Sequence, residues 1–288
     1  MKLFQVAVLS TIFFMMIGCC APLKNMVLVK GGTYEEVEIK KFYIGIYEVT
    51  QKQWVKVMGT NPSYFKGDDL PVEKISWYDA VIFCNKLSEL EGLEECYTID
   101  ELVTDSTDFR RDLQVKYQVK FNPGKNGYRL PTEKEWEYAS IGGRKSRGFN
   151  YSGSDDIDEV GWYKRNSGDK ILKSNSETFY FDSDSLMIYN NSTKPVGSKK
   201  PNELGIYDMT GNVLEYCSDF KDYHYEDFQY ELGDPSYGQD VHVHLRTASG
   251  GSWMYDTTGN TKGDAMIIAP FWRDSSCGLR IVRRAGCF

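Results

Sequence analysis

The chain has 288 residues, 41% of them hydrophobic and 26% charged, and a formal net charge of −7. This composition is typical of a folded protein with enough apolar residues to bury a core, and the length suits one large domain or two small ones. The acidic balance, without a basic stripe, argues against a nucleic-acid partner.

Residues 1–18 have the form of a bacterial signal peptide, in which Lys2 precedes an apolar run too short to span a bilayer comfortably. The run ends in Met16-Ile17-Gly18-Cys19, which resembles a bacterial lipobox with Met where Leu is usual. We expect cleavage before Cys19, diacylation of its thiol and a lipid-anchored linker over residues 19–25. The predicted location is the cell envelope, at the outer-membrane surface, with the lipid as the membrane contact. The alternative is an ordinary secretory signal beside a coincidental Cys19-Cys20 pair.

Export bears on the cysteines, because secreted proteins form disulfides. Beyond Cys19 and Cys20, five remain: Cys84, Cys96, Cys217, Cys277 and Cys287. The odd number predicts a free thiol or an intermolecular bond. Cys84 and Cys96 are the favoured pair, because a helix end and the loop that follows it can meet, although the sequence leaves the pairing open.

Residues 26–288 contain no internal repeat or Pro/Gly-rich linker, and we predict one domain. Strands are predicted at Leu28-Val29, before a turn at Gly31-Gly32, and at Phe42-Tyr43-Ile44-Gly45. Three helices are predicted, each beginning at a capping residue. The first begins at Thr50 and has Trp54, Val57 and Met58 on one side. The second begins at Ser76, with Asp79 in a capping box, and its apolar residues are Ala80, Phe83, Cys84 and Leu87; the third follows the Asn126-Gly127 turn, begins at Thr132 with Glu135 and carries Trp136 and Ala139.

The chain becomes rich in Gly, Asn, Ser and Asp after residue 140, with short apolar pieces and few helical patterns. Residues 171–191 resemble a polar insertion with a strand of its own at Phe179-Tyr180-Phe181. Early helices, late loops and strands at both ends predict an α+β fold with much irregular loop structure.

Several sequence blocks resemble, in the same order, the formylglycine-generating-enzyme (sulfatase-modifying-factor) type domain, a variant of the C-type-lectin fold. The blocks are Gly31-Gly32-Thr33, Tyr47-Glu48-Val49-Thr50 with Trp54, Pro71-Val72 with Ser76-Trp77, Tyr128-Arg129-Leu130-Pro131-Thr132-Glu133 with Glu135-Trp136-Glu137, Pro201 to Met209, Gly211-Asn212-Val213, Gly250-Gly251-Ser252-Trp253 and Gly278-Leu279-Arg280. The resemblance covers nearly all of the chain after residue 25. It implies a fold with little regular structure and with its termini close together.

The resemblance does not extend to the oxidising chemistry of that family. Its catalytic members use two cysteines shortly after the Gly-Gly-Ser-aromatic motif, because thiolates bind the soft metal and exchange with a substrate cysteine. Tyr255 and Asn260 stand at the matching positions, and Cys277 fits packing at a strand start. A copper-dependent oxidase or a metal oxygenase of the same fold is therefore the disfavoured alternative, and we expect no catalytic residue.

A ligand-binding segment is predicted between two fixed motifs within residues 246–280. Its candidate contact residues mix aromatic, small polar and acidic side chains without a helical or strand period: Met254, Tyr255, Asp256, Thr258, Gly259, Asp264, Ile267, Phe271, Trp272, Asp274, Ser275 and Ser276. Rigid anchors beside adaptable hydrogen-bonding groups are typical of a binding loop. Trp272 and Tyr255 are the predicted hot spots.

The layout of a lipidated chain with this C-terminal segment resembles the variable proteins of diversity-generating retroelements. In that group the segment is rewritten to change ligand specificity on an unchanged scaffold. The resemblance implies an unknown ligand, either a protein or a host or microbial surface molecule. The alternative is a static envelope protein in which Tyr255, Phe271 and Trp272 are core residues.

Asp208, Gly211, Val213 and Glu215 are candidate ligands of a structural Ca²⁺, because they offer two carboxylates and two carbonyl oxygens across a tight turn. The family resemblance places a calcium at the matching positions. The alternative is a turn entering a strand, with Glu215 solvated or paired to an arginine. His242 and His244 alternate in Val241-His242-Val243-His244-Leu245, where a half-exposed strand is favoured over a metal site.

Overall fold

The computed structural model describes residues 25–101, 117–169, 189–224, 242–261, 263 and 265–286. The predicted signal peptide, Cys19, the strand Phe179-Tyr180-Phe181, Asp264 and Cys287 lie outside these residues. Among the residues described, no helix has the length and apolar character needed to cross a membrane.

Four short helices begin where the sequence provides capping side chains or an acidic turn. They are α1 (Gln51–Met58), α2 (Trp77–Leu90), α3 (Glu133–Ser140) and α4 (Ile157–Val160). The first three have complete capping boxes, formed by Thr50 with Gln53, Ser76 with Asp79, and Thr132 with Glu135. The three predicted helix starts are therefore confirmed.

The strands form two four-stranded sheets and two hairpins. In chain order they are β1 (Met26–Val29), β2 (Gly32–Tyr34), β3 (Val37–Ile39), β4 (Phe42–Gly45), β5 (Tyr97–Glu101), β6 (Tyr117–Phe121), β7 (Tyr128–Arg129), β8 (Leu214–His224), β9 (His242–Ser249), β10 (Ala265–Ile268), β11 (Cys277–Gly278) and β12 (Val282–Arg284). The first sheet has the antiparallel order β1-β4-β12-β7. The N-terminal and C-terminal strands therefore flank the same strand, as the resemblance implied.

The second sheet has the order β10-β9-β8-β11 and forms the frame of the predicted binding segment. β9 pairs antiparallel with both β8 and β10, whereas β11 runs parallel to β8. β9, β10 and β11 come from the last part of the chain, and β10 and β11 are the two edge strands, so the chain between them crosses the sheet from one edge to the other. Helices and sheets that are joined by long loops agree with the predicted α+β class.

Two apolar clusters form the core. The larger packs α1 and α2 against the second sheet, through Trp54, Trp77, Phe83 and Tyr216 among others. The smaller joins the first sheet to α3 and includes Phe42, Ile44, Trp136 and Val282. The helix residues predicted to face inward mostly do so, and Val57, Met58 and Leu87 are partly buried.

The proposed pairing of Cys84 with Cys96 is wrong in this structure, because both residues are free thiols. Both are buried in the larger cluster, where cysteine packs as a small apolar side chain. Burial raises the pKa of both thiols, which disfavours the thiolate that disulfide exchange requires.

Candidate ligand-binding surface

The predicted segment begins with a turn that only glycine fits. Gly251 has a φ of +71°, and a Cβ on it would lie 2.1 Å from Asn260 Oδ1 and 2.4 Å from Gly259 O. The next two side chains are buried, and Trp253 Nε1 donates to Ser275 O at 3.0 Å. This bond joins the start of the segment to its end, so the loop between them begins and ends at fixed points.

Arg280 anchors the end of the segment inside the protein. Its Nη2 lies 2.6 Å from Glu215 Oε1, and neither side chain has notable solvent exposure. The guanidinium also donates to Gly45 O at 3.0 Å and to Tyr207 O at 2.9 Å. Trp136 Nε1 donates to Glu215 Oε2 at 2.6 Å. The Arg280–Glu215 ion pair and its hydrogen bonds therefore connect both sheets and α3 to the last strands of the chain.

One of the predicted calcium ligands, Glu215, is paired to an arginine, as in the alternative interpretation of the sequence. Both Glu215 oxygens accept hydrogen bonds from Arg280, which makes this carboxylate the partner of a guanidinium. Asp208 Oδ2 accepts from Gly197 N at 2.6 Å, and its Oδ1 is buried with no partner among the described residues. Calcium binding by Asp208, Gly211, Val213 and Glu215 stays an untested prediction.

Sequence reasoning missed the buried groups that surround this ion pair. Glu48 accepts hydrogen bonds from Asn212 Nδ2 at 2.6 Å and from Val213 N at 3.1 Å. Burial raises the pKa of Glu48 well above its usual range, and the nearby Asp208 and Glu215 carboxylates raise it further. Glu48 and Arg280 each lie in a block that resembles the family, and this was the available signal of their importance. Nothing in their spacing predicted that they would lie in one buried cluster.

The two positions that carry thiols in the oxidising members have structural roles here. Asn260 Nδ2 donates to Asp256 O at 2.6 Å and to Tyr255 O at 3.2 Å, which closes the short 3-10 helix Thr257–Asn260. The Tyr255 ring packs against the larger core cluster. Burial raises the pKa of the Cys277 thiol to about 12, so the nearest cysteine in sequence is protonated at neutral pH.

The structure divides the predicted contact residues by exposure. Ile267 and Trp272 are exposed, Ser276 is buried, and the partly buried ones are Met254, Tyr255, Asp256, Gly259, Phe271, Asp274 and Ser275. The side chain of Thr258 and all of Asp264 lie outside the described residues. Asp256 is held by Arg165, whose Nε lies 2.8 Å from Oδ1. Trp272 is therefore the hot-spot candidate that a partner can reach, whereas Tyr255 is mainly a packing residue.

Residues of α2 and of the loop before it contact Arg273 and Asp274, the two residues that follow Trp272. Arg273 Nε donates to Asp79 Oδ2 at 2.9 Å, and Lys74 N donates to Asp274 O at 2.9 Å. The Lys74 ammonium lies 6.0 Å from the centroid of the Tyr64 ring, and Tyr64, like Trp272, is 53% exposed. We call Tyr64, Lys74, Trp272, Arg273 and Asp274 the Trp272 surface. Sequence reasoning missed Tyr64, Lys74 and Arg273, because two of them lie some 200 residues from the segment.

Hydrogen bonds from other parts of the protein fix the backbone near Trp272. Tyr216 is buried, and its hydroxyl donates to Trp272 O at 3.0 Å. Trp77 N donates to Pro270 O at 3.1 Å, and Asp274 Oδ1 accepts from Ser276 N at 2.8 Å. An exposed indole on a backbone fixed by buried groups can bind without first losing much conformational freedom.

These features define a formylglycine-generating-enzyme-type domain with a C-type-lectin-like fold, in which Tyr255 and Asn260 replace the thiol pair. The sulfatase-modifying factor enzyme 1-like domain matches residues 18–285. The chain therefore belongs to this family, and the resemblance inferred from the sequence blocks is confirmed.

Three relatives place the chain within the family. It is 48% identical over 275 residues to the chaperone protein LppX of Paenibacillus barcinonensis, covering 90% of this chain and 89% of that protein. The structure of Treponema denticola variable protein 1 matches with a TM-score of 0.64 and 31% identity, covering 91% of this chain and 92% of that one. The mouse formylglycine-generating enzyme is 26% identical over 211 residues, which are 70% of this chain and 42% of the enzyme.

Proposed function

We propose that this protein is a non-catalytic binding protein of the cell envelope, anchored by lipid at Cys19, whose Trp272 surface binds a polypeptide. The residues within 246–280 set the specificity, and the rest of the domain is their scaffold. The observation that carries the proposal is the exposed Trp272 indole, on a backbone held by Tyr216 and Trp77.

The chemistry of the Trp272 surface suits a polypeptide. A large aromatic side chain beside a guanidinium, an ammonium and a carboxylate offers an apolar anchor with charged groups at its rim. The relative named a chaperone supports a polypeptide ligand, and the relative named a variable protein supports specificity residues in the C-terminal segment.

Two observations favour binding over the oxidase alternative. Tyr255 and Asn260 stand where the oxidising members have cysteines, and neither can form the thiolate on which copper binding and thiol exchange depend. The four cysteines in the described residues are buried, and burial raises the pKa of each thiol. Failure of the purified protein to oxidise cysteine-containing peptides in the presence of copper would agree with the proposal.

Binding is tested with an array of immobilised random-sequence peptides and three proteins: the wild type, Trp272→Ala and Leu90→Ala. Leu90 is a matched control because it is also exposed and apolar but lies at the end of α2. We expect the wild type and Leu90→Ala to bind the same peptides, and Trp272→Ala to bind them at least about tenfold more weakly. Equal binding by Trp272→Ala, or no peptide bound by the wild type, contradicts the proposal.

The variable character of the segment has a separate test. Sequencing the 3′ end of the gene from sister isolates should show substitutions concentrated between Met254 and Ser276, at positions such as Ile267 and Trp272. An even spread of substitutions along the gene would refute diversification and leave peptide binding to be judged by the array.

A further inference from the structure

A second candidate site is a cavity whose wall includes Trp77 but none of the residues of the Trp272 surface. This cavity, of about 380 Å³, opens between α2, the β5-β6 hairpin and the second sheet. Its walls include the aromatic rings of Trp77, Tyr97, Phe121 and Phe220, and its polar lining includes Asp219 and Arg246. Small-molecule sites are typically concave and mostly apolar, with a few polar groups that fix the ligand's orientation.

The cavity results from an irregularity in β8. Tyr216 pairs with Ala248 and Phe220 with Arg246, so β8 advances by four residues where β9 advances by two. The β8 residues that do not pair with β9 form other hydrogen bonds. Ser218 N donates to Pro131 O at 2.8 Å, and Cys217 O accepts from Trp77 Nε1 at 2.8 Å. Asp219, within the irregular stretch, and Phe220, directly after it, both line the cavity, and bulges are common near functional sites.

Arg246 is a charged group in the wall of this cavity. Its guanidinium carbon lies 3.7 Å from the centroid of the Trp77 ring and 5.5 Å from that of Phe220. Nη1 donates to Ser218 O at 3.2 Å, whereas Nε is buried and has no partner among the described residues. Arg246 forms no salt bridge with a carboxylate that the structure describes; the Asp219 carboxylate, in the same cavity wall, accepts from Glu133 N at 2.6 Å.

A partly buried cation that lacks an anion is unfavourable for folding, and such groups are usually paired or hydrogen-bonded. Desolvation at this position lowers the pKa of Arg246, which reports the same imbalance. A bound anion would balance the charge, and the aromatic walls leave room for an apolar body attached to it. Arg246 lies on β9, where it pairs with Phe220 of β8.

We propose that this cavity binds a small carboxylate with a flat apolar body, with the carboxylate on the Arg246 guanidinium and the ring against Phe121 and Phe220. Arginine binds carboxylates through paired hydrogen bonds, and aromatic walls favour a planar group. This site does not depend on the proposed function, because none of its wall residues belongs to the Trp272 surface.

Phenylacetate and its neutral analogue 2-phenylethanol are suitable probes, because they differ mainly in charge. Affinity is measured by calorimetry, and the indole N–H resonance of Trp77 gives a local readout by NMR. We expect the wild type to bind phenylacetate at least about tenfold more tightly than 2-phenylethanol and to shift the Trp77 resonance. Arg246→Met keeps an unbranched stem over Trp77 but removes the charge, so it should lose this preference.

Two further variants separate the site from a general loss of structure. Arg273→Met removes an exposed guanidinium from the Trp272 surface and should bind phenylacetate like the wild type. Phe220→Ala removes an exposed wall, so it should weaken both probes while the preference for the anion persists. The proposal fails if Arg246→Met binds phenylacetate with wild-type affinity, or if neither probe shifts the Trp77 resonance in the wild type.

Discussion

At the scale of single residues, the interior beneath the segment places three carboxylates near one guanidinium. Glu48, Asp208, Glu215 and Arg280 are all buried. Burial raises the pKa of Asp208 to about 6, and burial together with neighbouring carboxylates raises that of Glu48 well above its usual range. Arg280 forms its ion pair with Glu215, so the other two carboxylates depend on neutral hydrogen-bond donors.

Arg280→Met should destabilise the protein strongly, because it leaves Glu215 as a buried charge without its partner. We expect the free energy of unfolding to fall by about 3–5 kcal/mol in urea titrations. Arg273→Met, in the exposed pair with Asp79, is the matched control and should change it by less than about 1 kcal/mol. Similar losses in the two variants would show that the buried pair has no special role.

Glu73 gives a pH-dependent prediction. It is buried, its Oε1 accepts from Phe65 N at 2.8 Å, and its Oε2 has no partner among the described residues. Burial raises its pKa from 4.5 to about 7. Between these values the folded protein binds more protons at Glu73 than the unfolded chain does, so this residue's contribution to stability falls as pH rises from about 4.5 to 7.

Glu73→Gln removes that titration while keeping the shape of the side chain. The stability of the variant relative to the wild type should therefore rise between pH 4.5 and 7 and stay level above pH 7. Chemical denaturation of both proteins at several pH values measures this difference, in which other titrating groups cancel. A difference that does not change with pH would show that Glu73 titrates alike in the folded and unfolded chains.

At the scale of elements, turns with left-handed backbone set the ends of the segment. Gly251 has a φ of +71°, and a Cβ there would overlap the Asn260 side chain and the Gly259 carbonyl. The same glycine precedes Ser252 and Trp253, which are buried beneath the loop. The conformation of this turn therefore decides the path of the chain toward Trp272.

Gly251→Ala should destabilise the domain by at least about 2 kcal/mol more than Gly92→Ala. Gly92 has a φ of +68°, and a Cβ there would meet no atom of the described residues within 4 Å, so its substitution costs about 1 kcal/mol of backbone strain alone. Thermal and urea unfolding of the two variants measure the difference. Equal losses of stability in the two variants would mean that Asn260 and Gly259 can move to make room for the added methyl group.

At the scale of the whole molecule, buried and exposed residues alternate along the segment 246–280. Trp253, Ser276 and Arg280 are buried, and their hydrogen bonds join distant parts of the chain. Ile267 and Trp272 lie between them in sequence but face solvent. A scaffold of this kind tolerates changes on its face because the bonds that hold its shape lie beneath that face.

The combined variant Ile267→Thr, Trp272→Ser, Arg273→Ser should keep the wild-type fold. Single surface substitutions usually change stability by about 0.5 kcal/mol or less, so we expect a total change within about 1.5 kcal/mol. Trp253→Ser, one buried substitution in the same segment, should cost about 3 kcal/mol or more. Circular dichroism and urea titration distinguish the two, and unfolding of the combined variant would contradict a tolerant binding face.

The sequence by itself determined the helix starts and the family. The capping boxes at Thr50, Ser76 and Thr132 could be predicted because each depends on hydrogen bonds between residues three apart. The ordered blocks predicted the fold, and the absence of cysteines at positions 255 and 260 followed from reading those positions. These conclusions required no knowledge of how distant segments meet.

Only the tertiary structure decided how the site is assembled. Glu215 pairs with Arg280 across 65 residues and accepts from Trp136 across 79, so local spacing could not show which arginine would be its partner. Phe271 packs on the core while Trp272 faces solvent, although the two aromatic residues are adjacent in sequence. The physical reason is that cap hydrogen bonds are local, whereas burial and charge pairing depend on which segments the folded chain brings together.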